Sequence, residues 1–322
     1  MGILDTSSHP PTPPPVLNAE ALATSRPSNV WGDTLRRLFR RRSAVLGLVI
    51  LSILTVVAIF APVIAPYAPE QVLIGVEDVK KRATPCIHFL GCPADQPQHI
   101  LGTDGNVRDF FSRIVFGARL SLVIGVATVT FAIVIGTILG AVAGYVGGWA
   151  DNIIMRLMDV LLSFPQLILA IAIVTVLGPG LINALIAISI VSIPAYARVV
   201  RASVLSIKEM DFVSASRALG ASPVRILFAR VLPNSLTPLI VQGTLGIASA
   251  ILDAAALSFI GLGAQPPTPE WGSMLGAERN QVFTAPHLVF FPGIAIMFTV
   301  LAFNLLGDGL RDALDPRLNR GG

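Results

Sequence analysis

Hydrophobic and polar positions divide this chain into long uncharged runs separated by short polar stretches. Residues 44–66 form the first run, directly after the basic sequence RRLFRRRS at 36–43. Roughly 20 apolar residues match the hydrocarbon thickness of a bilayer, so this run predicts a membrane-spanning helix. Residues 120–150 form a second uncharged run, in which Gly136, Gly140 and Gly144 repeat every fourth position. That spacing lays a smooth stripe along one helix face where another backbone can approach, and packing within the chain is preferred over a subunit interface. A turn is expected at 151–156. The uncharged stretch 160–197 is interrupted by Gly178, Pro179 and Gly180, which makes it two spans joined by a tight turn. Further spans are expected at 236–263 and 287–307. The pattern as a whole predicts an all-α, polytopic membrane protein with six transmembrane helices.

One polar island, residues 206–234, stands between the fourth and fifth runs. Ser206 followed three positions later by Glu209 has the form of a capping box, predicting a helix start there. Gly220 is suited to the left-handed conformation that closes a helix. Ser222 then offers a second N-cap, with Pro223 at the first helical position, where its missing N–H costs nothing. This second helix is expected to run to Leu232 and to be broken by Pro233. Phe212, Ala215 and Leu219 share one face of the first short helix. Asp211, Ser214 and Arg217 lie elsewhere on it.

Composition reinforces the membrane reading. Of 322 residues, 53% are hydrophobic and only 13% charged, against roughly 25% charged in a soluble domain. The net charge of +4 and a pI near 9.5 come from basic residues gathered at the ends of apolar runs, where they read as topology signals rather than as a nucleic-acid footprint. The arginines at 36–42 are expected to stay in the cytoplasm, so both termini are placed there. Residues 1–35, with the run HPPTPPP, are expected to be a disordered Pro-rich cytoplasmic tail; 36–66 the first span with its basic flank; 67–118 an extracytoplasmic segment; 119–310 a five-helix core carrying the loop 206–234; and 311–322 a cytoplasmic tail. The outer placement of 67–118 runs against its Lys80, Lys81, Arg82, Arg108 and Arg113, but the charge rule weakens in long loops. There Cys86 and Cys92 face an oxidising compartment, and two readings stand: a small disulfide loop, or two free thiols.

Catalytic chemistry is missing. The sequence has no G-x-x-x-x-G-K-[ST] phosphate loop, no H-E-x-x-H, no Cys and His cluster with zinc spacing and no G-x-S-x-G elbow. No metal site is expected. Asp253 is the one ionisable group in the fifth run, and its carboxylate is either a functional group at depth, one paired within the bundle, or one placed near the outer interface. Asp253, Gln265, Glu270 and Trp271 are therefore candidates for contact with cargo or an outer partner. A pore-like subunit without an energy source needs a partner that supplies one, and the island at 206–234 is the elaborated socket for it. The rival readings are a stand-alone secondary transporter or channel, and a membrane scaffold that conducts nothing.

At the island, DFVSASRALGASPVRILFARVLP, the chain resembles the inner-membrane permease subunits of binding-protein-dependent ABC importers. Those carry a Glu-Ala-Ala, Gly and Ile-x-Leu-Pro pattern, matched here by Ala215, Gly220, Leu232 and Pro233. Ser214 stands where the pattern has Glu, Ser216 where it has the second Ala, and Arg230 where it has Ile. The segments 101–122, 155–170, 256–275 and 290–319 are similar to the dipeptide, oligopeptide and nickel branch, in the order of its second permease, with Asn106-Val107 replacing a common Leu-Gly. The resemblance implies a type I importer permease fold in a prokaryotic cell membrane. It also implies a sister permease, two ATPase subunits that bind ATP and Mg, and an extracytoplasmic substrate-binding protein, with no cofactor in this chain. Its ATPase-coupling set is Asp211, Phe212, Ser214, Ala215, Ser216, Arg217, Gly220, Ala221, Ser222, Pro223, Leu232 and Pro233. Dipeptide, oligopeptide, glutathione and nickel all remain open as cargo.

Overall fold

The computed structural model describes residues 30–314. The expectations for residues 1–29 and 315–322 lie outside this range. Within it the chain is helical, with only isolated β-bridges in the loop 67–109. Five helical stretches are long and apolar enough to cross a membrane, and a pair bent by 92° supplies a sixth.

Helix α1, Val30–Arg40, begins inside the stretch expected to be a disordered tail. Its Leu38 is buried against Ala44 and Ala313, which gives this short amphipathic segment tertiary support. Helix α2, Arg42–Ile59, is the first span, and the single turn α3, Ala61–Ile64, continues it. The second span, α4, is Phe110–Val146, so it starts ten residues before the uncharged run does. The cause is local: the Asp109 carboxylate accepts the Ser112 N–H at 2.7 Å and caps the helix there.

The expected turn at 151–156 is helical. It lies within α5, Gly148–Leu162, because the chain has already turned at Gly147 and Gly148, both with positive φ. The third span is broken. Ser163, Phe164 and Pro165 interrupt it before α6, Gln166–Leu177, and Pro165 brings no N–H to continue the helical ladder.

Helix α7 is Leu181–Ile207 and forms the fourth span. The short helix α8, Asp211–Ala218, and α9, Pro223–Ile226, follow. A π-helical turn, Leu227–Val231, then leads into the fifth span, α10, Leu232–Phe259. Pro233 therefore breaks nothing. The extra residue of the π turn widens the backbone just before the position where a proline ring would meet the carbonyl four residues earlier. Helix α11, Trp271–Glu278, lies across the other end, and α12, His287–Leu314, is the sixth span, continuing through Asp308, Arg311 and Asp312, which were expected to lie beyond it.

Packing follows the small residues. Gly136, Gly140 and Gly144 of α4 lie directly against the α7 backbone around Ile193, Ala197 and Arg201, the two helices running in the same direction. Gly47 of α2 sits equally close to Ala302 and Leu306 of the oppositely directed α12. The largest buried cluster joins Ile124, Val129 and Ala132 of α4 to Ile188, Val200 and Val204 of α7 and to Leu239, Ala250 and Leu257 of α10. Large apolar side chains such as Val126, Phe131 and Ile138 stay exposed on the outside of the bundle, as surfaces in contact with acyl chains require. Two functional ends result: one carries α1, α8 and α9, the other the loop 67–109 and α11.

In that loop, Val107 is held at φ +57° and is buried. The Asp104 carboxylate folds the backbone around it by accepting the N–H groups of Asn106 and Arg108, both at 2.9 Å. A β-branched residue in the left-handed region carries about 1–3 kcal/mol of strain, and burying a valine returns about the same. Val107→Gly is therefore expected to be near neutral, within about 1 kcal/mol in thermal unfolding, because the two effects offset.

Candidate functional site: the short helix between the fourth and fifth spans

The chain leaves α7 through a turn at Lys208–Met210, so the start expected at Ser206 is wrong. Ser206 and Ile207 belong to α7, and α8 begins at Asp211 with no side-chain cap. Tertiary packing overrides the local signal: Val200, Val204 and Ile207 are all buried in the main cluster and keep α7 helical past Ser206. Lys208 donates from Nζ to the Gly144 carbonyl at 3.0 Å, fixing the turn to the end of α4. Arg201 pairs with Asp151, one contact being 2.6 Å, and Arg198 pairs with Asp159, so α5 is braced against the same stretch of α7.

The end of α8 is as the residues predict. Gly220 has φ +80°; its N–H donates to the Arg217 carbonyl at 3.0 Å and the Ala221 N–H to the Ser216 carbonyl at 3.1 Å. These two bonds form a Schellman cap. Ser222 accepts the Arg225 N–H at 3.4 Å, and Pro223 occupies the first turn of α9.

Which face is buried was not legible. Phe212, Ala215 and Leu219 do share a face, but it is open: Leu219 is 88% exposed. The anchor is Val213, fully buried, joined in the main cluster by Ile226 and Val231. Asp211, Ser214, Arg217, Gly220, Ser222 and Pro233 are exposed, whereas Ser216, Ala221 and Leu232 are half-buried. Phe212 and Leu219 at α8, and Val224 and Phe228 at α9 and the turn after it, are each exposed apolar side chains on a base keyed into the spans. Exposed apolar patches mark protein contacts.

At the opposite end the expected contact residues separate. Trp271 is 1% exposed and its Nε1–H donates to the Ile114 carbonyl at 3.0 Å; Glu270 is 2% exposed and caps α11 by accepting the Gly272 and Ser273 N–H groups at 2.9 and 2.8 Å. Both are therefore scaffold residues, spent inside the chain, a correction to their expected contact with cargo or an outer partner. Burial pushes the Glu270 carboxyl above its usual range, and the Gly272 and Ser273 N–H groups pull it back in part. Gln265 is exposed and donates to the Gly261 and Gly263 carbonyls. Asp253 lies on α10, where it receives one hydrogen bond, from Gln166. Cys86 and Cys92 are paired, with Cα atoms 5.4 Å apart. Among the described residues no group of His, Cys, Asp and Glu is arranged to hold a metal ion.

Sequence reading missed the polar knot that shapes this end. His99, 2% exposed, has Nδ1 at 2.8 Å from Asp109 Oδ1 and Nε2 at 3.2 Å from Glu77 Oε2, and Glu77 also accepts the Tyr67 hydroxyl at 2.9 Å. A carboxylate at each ring nitrogen favours the form that donates from both, the imidazolium. Burial lowers the His99 pKa, but the hydrogen bond and charge of Asp109, together with Glu77, outweigh it and leave the value raised above 6.5. Burial, and then Glu77, push the Tyr67 hydroxyl up to about 12. The His99 contribution to stability is thus complete below its unfolded pKa and is lost as pH rises through the raised folded value. Limited proteolysis of the loop 67–109 is expected to accelerate as pH rises through the raised His99 value, above the ordinary 6.5. His99→Gln is expected to remove that dependence and to cost about 1.5–3 kcal/mol at low pH.

A bundle of apolar spans that carries an exposed short helix keyed between its fourth and fifth spans has the architecture of a polytopic membrane-transport subunit. The chain belongs to the family of binding-protein-dependent transport system inner membrane components, which matches residues 132–320. Residues 29–83 match the N-terminal transmembrane domain of oligopeptide transport permease C. It is 46% identical to the dipeptide transport system permease protein DppC of Alkalihalophilus pseudofirmus, over 96% of this chain and 95% of that protein. It is 48% identical to a di/tripeptide transport system permease of Pseudomonas aeruginosa, over 91% and 96%. It is also 44% identical to a glutathione transport system permease of Pectobacterium atrosepticum, over 89% and 91%. A chain of the inward-facing MetNI methionine ABC transporter superposes with a TM-score of 0.53 at 21% identity, covering 62% of this chain and 96% of that one. The fold is the type I ABC importer permease fold, and the protein is a multi-pass inner-membrane permease.

Proposed function

We propose that this chain is one of two permease subunits of an ATP-driven importer of peptides, and that it receives mechanical input through α8. The observation that carries the reading is the set of exposed apolar side chains Phe212, Leu219, Val224 and Phe228 on a base locked into the spans by Val213, Ile226 and Val231. An ATPase subunit that bound ATP and Mg would cover them. The partners are then a sister permease that completes the pathway, two ATPases, and a binding protein that meets the loop 67–109 and α11 on the outside. The arginines at 36–42 put the α1 end of the bundle, which also carries α8, on the cytoplasmic side.

The chemistry of the chain itself is binding and levering. A partner shifts a two-state element only through differential affinity for the two states. Here the element is α8 with its turns, and α7 and α10 are the rods that carry its displacement into the bundle. The Arg201–Asp151 and Arg198–Asp159 pairs brace α5 against α7.

The test is reconstitution in vesicles with dialanine as cargo. Uptake should require ATP, the binding protein and both permeases together. Gradient-driven dialanine flux through this chain alone would sink the reading in favour of a secondary transporter.

A further inference from the structure

The broken third span places three polar groups where the rest of the bundle is apolar. Gln166 is the first residue of α6, immediately after the break at 163–165 and the 92° bend. From there its Nε2 donates to Asp253 Oδ2 at 3.2 Å and reaches Ser192 Oγ at 3.5 Å. Asp253 stands six residues before the end of α10, about 9 Å along the helix, well inside the span. Ser192 Oγ donates to the Ile188 carbonyl at 2.7 Å and so can still accept.

Asp253 has no cationic partner among the described residues, and its Oδ1 takes no hydrogen bond. The carboxylate is only half-buried, and its partner Gln166 is exposed. A lone carboxylate at this depth is costly. It cannot face acyl chains and be retained at no benefit, so it faces water or a cation. Helix breaks within the membrane, with ionisable and amide groups at the break, are where membrane transporters build transit sites.

We propose that Asp253, with Gln166 and Ser192, forms a station in the pathway that takes a primary ammonium group of the cargo, such as the free amino terminus of a peptide. The inference rests on the peptide-import reading above. Gln166 holds the carboxylate toward the open side of the break and leaves Oδ1 free for the ammonium. Ser192 adds an acceptor. Because the station is a single charge with two weak neutral partners, it binds briefly and releases, as a conducting site must.

The experiment uses the complete importer in vesicles, with binding protein and ATP present and dialanine as the probe. Asp253→Asn keeps the shape and removes the charge. It is expected to lower dialanine uptake at least tenfold while ATP hydrolysis stimulated by the loaded binding protein stays above half of the wild-type rate. Asp253→Glu is expected to restore uptake to within threefold. The proposal is overturned if Asp253→Asn transports at more than half the wild-type rate, if uptake and hydrolysis fall together, or if Asp253→Glu is as defective as Asp253→Asn. Absence of ATP-driven dialanine uptake by the wild-type assembly overturns the peptide reading itself, and the station with it.

Discussion

Gly220→Val is expected to lower ATP-driven uptake at least tenfold while leaving membrane insertion and yield close to wild type. The position isolates a backbone effect. At φ +80° nothing lies within 4 Å of a Cβ built on Gly220, so the valine side chain meets no obstacle. The penalty is the left-handed conformation itself, about 1–2 kcal/mol and larger for a β-branched residue. The chain can escape it only by abandoning the cap formed by the Gly220 and Ala221 N–H groups, which re-aims α8 relative to α9. The buried anchors Val213, Ile226 and Val231 are untouched, so the spans still assemble. Gly220→Asn, which tolerates the left-handed region, is expected to keep most of the uptake. Paired assays of uptake and hydrolysis in vesicles check both variants; wild-type uptake in Gly220→Val would remove the lever from the mechanism.

Gly140→Leu is expected to have the opposite signature, a loss of the folded protein. A Cβ at Gly140 runs into the Ala197 carbonyl and lies 3.0 Å from Val200 Cβ. The first obstacle is backbone and cannot rotate away, so α4 and α7 must separate. Overpacking of this kind costs about 1–3 kcal/mol for extra methylenes and more where backbone is struck. The consequence reaches the α8 end too, because Lys208 is tied to Gly144 one turn further along α4. Gly293→Ala on α12 is the control: nothing lies within 4 Å there, and alanine is expected to gain about 0.5–1 kcal/mol of helix stability. Melting midpoints in detergent should fall for Gly140→Leu and hold or rise for Gly293→Ala.

These two glycines also mark how far the sequence could be read. Gly220 announces its conformation through its setting, a polar helix before it and Ser222-Pro223 after it. Gly136, Gly140 and Gly144 announce a contact stripe through spacing, but the identity of the partner helix is a tertiary fact. The capping box at Ser206 and Glu209 is a sound local signal that lost to Val200, Val204 and Ile207, whose burial extends α7. Pro233 failed as a helix breaker because the π turn made room for it. Pro165, in contrast, did break a span and had been read as part of an uninterrupted run, since hydropathy registers composition and not a missing N–H.

The candidate site divides in the same way. The Gly220 turn and the Ser222 cap were legible because turns and caps are local chemistry. The exposure of Leu219 and Phe212 was not, because a helix with apolar residues on two faces does not say which one the core takes; Val213 settles it by fitting among Val204, Ile226 and Val231. Glu270 and Trp271 look like surface contacts in a polar segment. They are buried only because α11 folds back onto the start of α4 and the end of α10.

By itself the sequence determined the all-α membrane architecture, the positions of most spans, and the short helix with its Gly220 turn, since each depends on run length, charge and residues within one helical turn of each other. The tertiary structure alone decided the 92° break beside Asp253, the polar knot at His99, and which face of α8 is open. Those features join residues from 10 to 87 positions apart in the chain, and pairings over such separations follow from how whole helices pack rather than from any local pattern.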